Sequence, residues 1–390
     1  MKLFVLVSRV PFPLEKGDKL RAYHQIKQLS KDHEVHLCCL NDQAFNQEAQ
    51  TELEKIANTV SIVQLSKWRI YLNVVIGLFG DLPLQVHYFY QRKANKEIQK
   101  LIKQFNPDHI YCQLIRTAEY VKELHQYKKT IDYMDAFSIG VDRRVSKSPL
   151  WKKWIMKSEA RRLASYENII FDYFDHHTII SKQDQQHLFH AKRDQIAIVA
   201  NGVDTQYFSK NRLEQKHTLL FTGNMSYPPN IDCAEYLVHE VFPLVRANFP
   251  QATLCLAGAN PHQKVKLLAS VEGVTVTGWI EDIRTAYNSS KVFVAPMRIG
   301  TGLQNKLLEA MSMELPAITS AMANNALGAE NEKAILIAND PATCADCIKR
   351  LLTNEELSQN IAKEGKKFVQ KKYTWEGTSQ ILHKIIRSKV

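Results

Sequence analysis

Val292-Phe293-Val294-Ala295 leads into Pro296-Met297-Arg298-Ile299-Gly300-Thr301-Gly302, and that loop opens into Leu303-Gln304-Asn305-Lys306-Leu307-Leu308-Glu309-Ala310-Met311. The first four residues read as a buried strand, apolar throughout and stopped by a proline. Apolar residues then recur at Leu303, Leu307, Leu308 and Met311, which places a helix from about Leu303. Strand, glycine loop and helix form the repeating unit of a parallel sheet covered by helices. The loop also carries chemistry. Gly300 and Gly302 present backbone N–H groups at a helix N-terminus, where orphan donors and aligned dipoles stabilise a diphosphate. Arg298 and Lys306 bracket it with two cations suited to phosphate oxygens. Glu309, three residues beyond Lys306, shares its helix face and can accept two hydrogen bonds from a ribose diol. The plain alternative is an amphipathic helix with a solvated Lys–Glu pair.

The same alternation extends in both directions. Upstream, strands are expected at Leu219–Thr222, Thr253–Ala257 and Val274–Thr277; downstream, at Ala317–Thr319 and Ile335–Ile337. An earlier series comprises Leu3–Val7, Glu34–Leu40, Ile62–Leu65, His109–Gln113, Thr130–Tyr133, Thr178–Ser181 and Ile196–Ala200, with a helix over Leu20–Leu29. The pattern pauses at Asn201-Gly202-Val203-Asp204 and a polar run follows. The expected fold is α/β: two Rossmann-like, doubly wound domains facing an interdomain cleft, with ligands at the carboxyl ends of the strands. The first domain spans 1–200, a linker 201–216, and the second domain 217–372. A terminal helix over 373–390, with Thr374 as its N-cap, crosses back to the first domain.

At 390 residues the chain is long enough for these two domains. Its hydrophobic fraction of 45% and charged fraction of 23% exclude disordered and disulfide-stapled classes. The net charge of +11 is concentrated early, with 30 basic against 22 acidic residues in the first 200. That favours an anionic partner. Seven cysteines, an odd number and mostly within apolar runs, fit a reducing, cytoplasmic setting. Cys344 and Cys347 read as core-facing helix residues, since no second pair completes a zinc site. Tyr71–Phe79 is the most apolar later stretch, far shorter than the ~20 residues a membrane span needs.

Three further segments could carry function. Gly17 and Asp18 stand in Lys16-Gly17-Asp18-Lys19, where a strand-to-helix turn lets backbone approach an anion. It is not the GxGxxG fingerprint, which argues against nicotinamide or flavin chemistry. Asp132-Tyr133-Met134-Asp135 is the nearest thing to a DxD pair; Asp135 reads equally as a sugar-contacting group or base and as the cap of the next turn. Trp151-Lys152-Lys153-Trp154-Ile155-Met156-Lys157, followed by Arg161-Arg162, suggests a basic interfacial patch toward an anionic membrane or, more plainly, a solvated helix face. The histidines lack metal spacing, and no metal or cofactor is expected.

In order and spacing the chain resembles the retaining glycosyltransferases of family 4, and among them the sugar transferases of PEP-CTERM/exosortase exopolysaccharide systems. The resemblance rests on Arg9-Val10-Pro11-Phe12-Pro13, Glu34-Val35-His36-Leu37, Arg161–Glu167, Asn201–Asp204, Phe221-Thr222-Gly223-Asn224-Met225 with Pro229-Asn230-Ile231-Asp232, Gly258-Ala259-Asn260-Pro261, Val274–Gly278, Gly302–Met311 and Tyr373-Thr374-Trp375-Glu376. It implies a GT-B fold, a nucleotide-sugar donor (UDP, GDP or dTDP) on the second domain, and a glycan or polyprenyl-lipid-linked acceptor on the first. By position it implies that Glu309, as the second Glu of an E-x7-E motif, holds the donor ribose. Lys306 and Arg298 neutralise the diphosphate. Gly223 and Asn224 form a glycine loop, Gly278–Ile280 reads the base by its backbone, and Gly300, Thr301, Gly302 and Leu303 line the donor. Gly17 and Asp18 face donor phosphates or acceptor, and Asp135 joins Arg298 and Lys306 as a catalytic candidate.

The chain departs from that pattern in three places. Thr301 stands where the first Glu of E-x7-E belongs, so backbone donors and its hydroxyl must serve there. Asn224-Met225-Ser226-Tyr227 lacks the usual Arg and Lys, which shifts the diphosphate charge onto Arg298 and Lys306. Glu314 replaces a helix-terminating Gly, so a different cap is expected. Other classes fit less well. A nucleic-acid binder would need an aromatic–basic signature that is absent. A GT-B sugar-nucleotide epimerase or hydrolase would act without acceptor, and a non-catalytic scaffold would bind nucleotide without turnover.

Overall fold

The computed structural model describes residues 1–145, 148–211, 214–299 and 302–388. Leu3 to Val7 are buried on both sides, and alternate residues of this strand enter different cores. Phe4 and Leu6 pack with Leu40, Ile98, Ile110 and Leu163; Leu3, Val5 and Val7 pack with Ile26, Leu29, Leu37 and Leu53. A strand that is apolar at every position needs helices on both faces, and the chain supplies them.

Two units result, Met1–Ala200 with Thr378–Val390, and Asn201–Gly377. The first holds β1 (Lys2–Val7), β2 (Glu34–Asn41), β3 (Thr59–Gln64), β4 (His109–Gln113), β5 (Lys128–Asp132), β6 (His176–Ile179) and β7 (Ala197–Ile198), in the order β3-β2-β1-β4-β5-β6-β7. The second holds β8 (His217–Thr222), β9 (Leu254–Ala257), β10 (Val274–Gly278), β11 (Ser290–Ala295), β12 (Ala317–Thr319) and β13 (Leu336–Ile337), in the order β10-β9-β8-β11-β12-β13. Every pairing is parallel. Both sheets reverse direction beside their first strand, between β1 and β4 and between β8 and β11. These are the switch points at which doubly wound sheets bind ligands. The two Rossmann-like domains expected from the sequence are therefore present, and each expected strand has its counterpart.

Several boundaries differ. Residues 201–216, expected as a linker, belong to the second unit, where the Val203 N–H donates to the Tyr373 carbonyl at 2.7 Å. The chain returns to the first unit at Thr378, inside the helix Trp375–Arg387, whose Leu382 and Ile386 enter the core around Leu3 and Val5. The first helix starts at Gly17, not Leu20, because its polar first turn lies outside the apolar stripe. The helix expected from Leu303 starts at Asn305, since Gly302 has φ +78° and Gln304 is extended.

The end of that helix overturns one expectation. The Glu314 N–H donates to the Met311 carbonyl (3.1 Å) and the Leu315 N–H to the Ala310 carbonyl (3.0 Å), the paired bonds of a Schellman cap. Glu314 takes φ +51° in the position usually held by glycine, and Lys366 binds its carboxylate at 2.7 Å. The cap is kept and the residue is strained. All seven cysteines are buried and unpaired, Cys344 and Cys347 on the inner face of helix Pro341–Thr353. Among the described residues, no helix is long and apolar enough to cross a membrane.

Candidate functional site

In the second unit, the groups gathered at the carboxyl ends of β8 and β11 centre on Lys306. The Lys306 ammonium reaches back from the first turn of its helix and donates to Asn230 Oδ1 at 2.5 Å. It lies 4.5 Å above the Phe221 ring and 3.9 Å from Met297 Sδ. Asn230 is oriented for this by donating its own Nδ2 to the Asn224 carbonyl at 2.9 Å. Among the described residues, no carboxylate lies within ion-pair distance of Lys306 Nζ. Burial pulls the ammonium down to about 8, and the charge of Glu309 only partly opposes it.

Glu309 is anchored one turn further along. Its Oε2 accepts from the Tyr287 hydroxyl at 2.7 Å, and Tyr287 also meets Thr222 Oγ1 at 2.8 Å. Burial raises the Glu309 carboxyl, with Tyr287 and Lys306 opposing. Glycine is required beside this pair on steric grounds. A Cβ on Gly223 would lie 2.6 Å from Asn230 Nδ2 and 3.3 Å from Lys306 Nζ, and one on Gly258 would strike the Gly223 carbonyl. Gly302, at φ +78°, is buried three residues before the helix opens at Asn305, with Leu303 half-buried after it. Gly278 ends the edge strand β10, where its carbonyl accepts from the Gly258 N–H at 3.1 Å; half-buried Ile280 follows exposed Trp279. Gly300 and Thr301 lie outside the described residues.

Arg298 is held by two acids of its own unit. Its Nε and Nη2 contact Asp232 at 3.2 and 3.4 Å, its Nη1 contacts Glu240 at 3.0 Å, and it stacks 4.3 Å over Tyr236. The structure does not pair it with Lys306. Its charge is already matched by two carboxylates on a partly exposed face, because the helix packed beside the loop carries both acids. The Asn224 side chain likewise turns inward on its own turn, accepting from Ser226 N and Oγ at 3.0 and 2.7 Å.

In the first unit, the switch point gathers Asp18, Arg9 and Arg116. Asp18, in the first helical turn, bonds Arg9 at 2.9 Å and lies 4.0 Å from Arg116, while Arg116 holds Gln85 at 2.7 and 2.9 Å. A Cβ on Gly17 would meet open space. Asp135 follows Met134, which has φ +61° just past β5. Its carboxyl is raised by burial first and then by the neighbouring Asp184; Arg21 opposes, and Asp132 and Asp18 add to the rise. Asp18 and Asp135 are thus brought into one electrostatic group. Beneath it, fully buried Arg21 forms a bidentate pair with Asp132 at 2.6 and 3.0 Å, completed by Tyr111 (3.1 Å) and Thr178 (2.9 Å). A separate cavity of about 250 Å³ is lined by Arg9, Phe12, Lys16, Lys19, Asn41 and Asp42.

Sequence reasoning singled out neither Asn230 and Tyr287 as partners of Lys306 and Glu309 nor the pair Arg21–Asp132. Pro229-Asn230 marks a helix start but gives no hint that its amide meets a lysine 76 residues on. Among the described residues, no group of three His, Cys, Asp or Glu side chains is arranged to hold a metal ion.

Comparison with known proteins agrees with this geometry. An uncharacterised 44.6 kDa protein in the cps region of Klebsiella pneumoniae is 23% identical over 95% of this chain and 96% of its own length. Among solved structures, sucrose-phosphate synthase of Thermosynechococcus elongatus superposes with a TM-score of 0.71 at 16% identity, covering 99% of this chain and 98% of that one. Anabaena Alr3699/HepE, solved with UDP and glucose, gives a TM-score of 0.70 at 12% identity over the whole of both chains. The chain has the fold of GT-B glycosyltransferases. Residues 216–354, which contain Lys306, Glu309 and their partners, match the family model of glycosyl transferases group 1.

Proposed function

We propose that this chain is a retaining glycosyltransferase of hexosyl type that needs no metal ion. It would move a sugar from a nucleotide-diphosphate donor to a glycan or lipid-linked acceptor in cell-envelope or exopolysaccharide assembly. The cps-region relative supports the setting, and the UDP-bound HepE structure supports the donor class. The observation that carries the reading is Lys306: a buried cation at a switch point, held by a neutral amide and, among the described residues, with no carboxylate at ion-pair distance.

A donor diphosphate supplies that anion. As the bond from the sugar C1 to the diphosphate oxygen breaks, negative charge grows on the leaving oxygens, and the Lys306 ammonium stabilises it without reorganising. Close packing at Gly223 and Gly258 leaves backbone, not side chains, against the phosphates. Glu309, fixed by Tyr287 through one oxygen, offers the other to the ribose hydroxyls. On the first unit, the raised carboxyl of Asp135 suits a group that takes the acceptor proton near neutral pH. The cavity at Arg9, Phe12 and Asn41 offers the aromatic and polar contacts a sugar uses.

Thermal-shift measurement with UDP, GDP, dTDP and their sugars tests the donor class, followed by transfer to acceptor with NMR of the product anomer. The reading requires stabilisation by one nucleotide diphosphate, retained configuration, and a rate untouched by EDTA. Conversion of donor without acceptor would assign the site to an epimerase or hydrolase, and nucleotide binding without turnover to a scaffold.

A further inference from the structure

The helix Lys67–Gly77 is apolar on both faces, and only one is covered. Its inner face is fixed: Ile70 is buried, Asn73 Nδ2 donates to the Tyr90 carbonyl at 2.7 Å, and Gly77 packs so closely on His87 that a Cβ would lie 2.6 Å from the ring. Its outer face presents Trp68, Tyr71, Leu72, Val75 and Ile76, continued by Phe79. These fall at the helical spacing of one stripe, and Tyr71 and Phe79 are 74% and 90% exposed. A water-facing stripe is polar by rule; a continuous apolar one marks an interaction surface.

The surroundings say what kind. Arg162 ties the long helix Leu150–Phe171 to this one, donating to the carbonyls of Gly77 and Leu78 at 2.5 and 2.9 Å. That helix brings exposed Leu150 and Trp154 and the cations Lys152, Lys157 and Arg161. Its one carboxylate in this stretch, Glu159, is turned inward onto the amides of Leu84 (2.7 Å) and Gln85 (3.3 Å). Lys67 and Arg69 add two exposed cations, and along the sequence the one exposed acid between Lys67 and Phe89 is Asp81, two residues past Phe79. The surface is an apolar ridge with a cationic rim.

We propose that this ridge docks the protein onto an anionic lipid bilayer, with Tyr71, Val75 and Phe79 entering the headgroup boundary and the rim meeting acidic headgroups. Charge complementarity selects this occupant. A second copy seated symmetrically on the same face would oppose one cationic rim with another. The inference deepens the lipid-linked side of the proposed function but stands on its own observations. Vesicle binding needs no donor, so it can fail while donor binding succeeds, and the reverse.

The test is co-sedimentation of the full chain with phosphatidylcholine vesicles, with and without phosphatidylglycerol. Expected results are binding only to the anionic vesicles, about tenfold weaker in high salt, and quenching of tryptophan emission by brominated lipid that is reduced in Trp68→Phe. Val75→Ser/Phe79→Ser removes two exposed side chains and should lower vesicle binding about tenfold with an unchanged melting curve. Lys157→Glu/Arg161→Glu should erase the preference for anionic lipid. Equal binding to both vesicle types, no binding, or indifference to Val75→Ser/Phe79→Ser overturns the proposal. So does a dimer in sedimentation velocity that this double variant dissolves, because a second copy would then cover the ridge.

Discussion

Each unit buries a cation near its switch point, and the two are treated in opposite ways. Arg21 is enclosed with an anion of its own: both Asp132 oxygens bond it, and Tyr111 and Thr178 satisfy what remains. Lys306 is enclosed with an amide, a ring face and a thioether, and burial lowers its proton affinity to about 8. A complete pair is structure, closed to anything that arrives. An incomplete one holds a charge whose best partner is a ligand. The difference separates the charge that holds the first unit together from the charge that works in the second.

The largest effect should come from breaking the complete pair. Asp132→Ala removes the carboxylate that bonds a fully buried guanidinium through two nitrogens and should cost about 3–5 kcal/mol in urea denaturation. Arg21→Met with Asp132→Leu, which removes both charges, should cost far less. A loss below about 1 kcal/mol for Asp132→Ala, the range of surface pairs, would mean the enclosure is not what holds the pair.

Lys306→Ala should do the reverse. Stability changes little, because the removed cation is desolvated and, among the described residues, has no carboxylate at ion-pair distance. Turnover at saturating donor should fall by about 2–4 kcal/mol in transition-state free energy, roughly thirty- to a thousandfold. Near wild-type turnover would strip Lys306 of its role.

A smaller effect follows from the titration of Lys306. In the empty site it is an ammonium below about pH 8 and a neutral amine above. Affinity for a nucleoside diphosphate should therefore be flat below that value. Above it, affinity should fall by up to about tenfold per pH unit, or ~1.4 kcal/mol. Lys306→Arg stays charged and should flatten the profile, as isothermal titration across that range would show. A profile that keeps its slope in Lys306→Arg would place the titrating group elsewhere.

This contrast also explains what could be read in advance. The sheets were legible because β1 or β11 announces itself within six residues, and the helix bearing Lys306 and Glu309 is local in sequence. Arg21 and Asp132 are 111 residues apart, and neither carries a local sign of the other. Arg298 stood in the right loop, but its partners, Asp232 and Glu240, come from a stretch 58 to 66 residues earlier. Most of the ridge, Tyr71–Phe79, is visible in the sequence as an apolar run. Which side of it lay open depended on Gly77 meeting His87, a tertiary fact.

Glu314 offers a third arrangement, a half-exposed ion pair beside a strained backbone, and the smallest effect. Its left-handed conformation costs roughly 1–2 kcal/mol for a residue with a Cβ, while a pair such as Glu314–Lys366 returns about 0–1 kcal/mol. Glu314→Gly removes both the strain and the pair, against a further entropic penalty of about 0.5–1 kcal/mol for glycine. These ranges net to between a loss of about 1 and a gain of about 1.5 kcal/mol, centred on a gain of a few tenths, whereas Glu314→Ala keeps the strain and loses the pair, so it should be less stable than either. The order Gly, Glu, Ala in urea midpoints would place this pair with weak surface contacts. If Glu314→Gly instead destabilised the unit by more than about 1 kcal/mol, a half-exposed pair would be carrying weight of the kind that only the enclosed Arg21–Asp132 pair should carry.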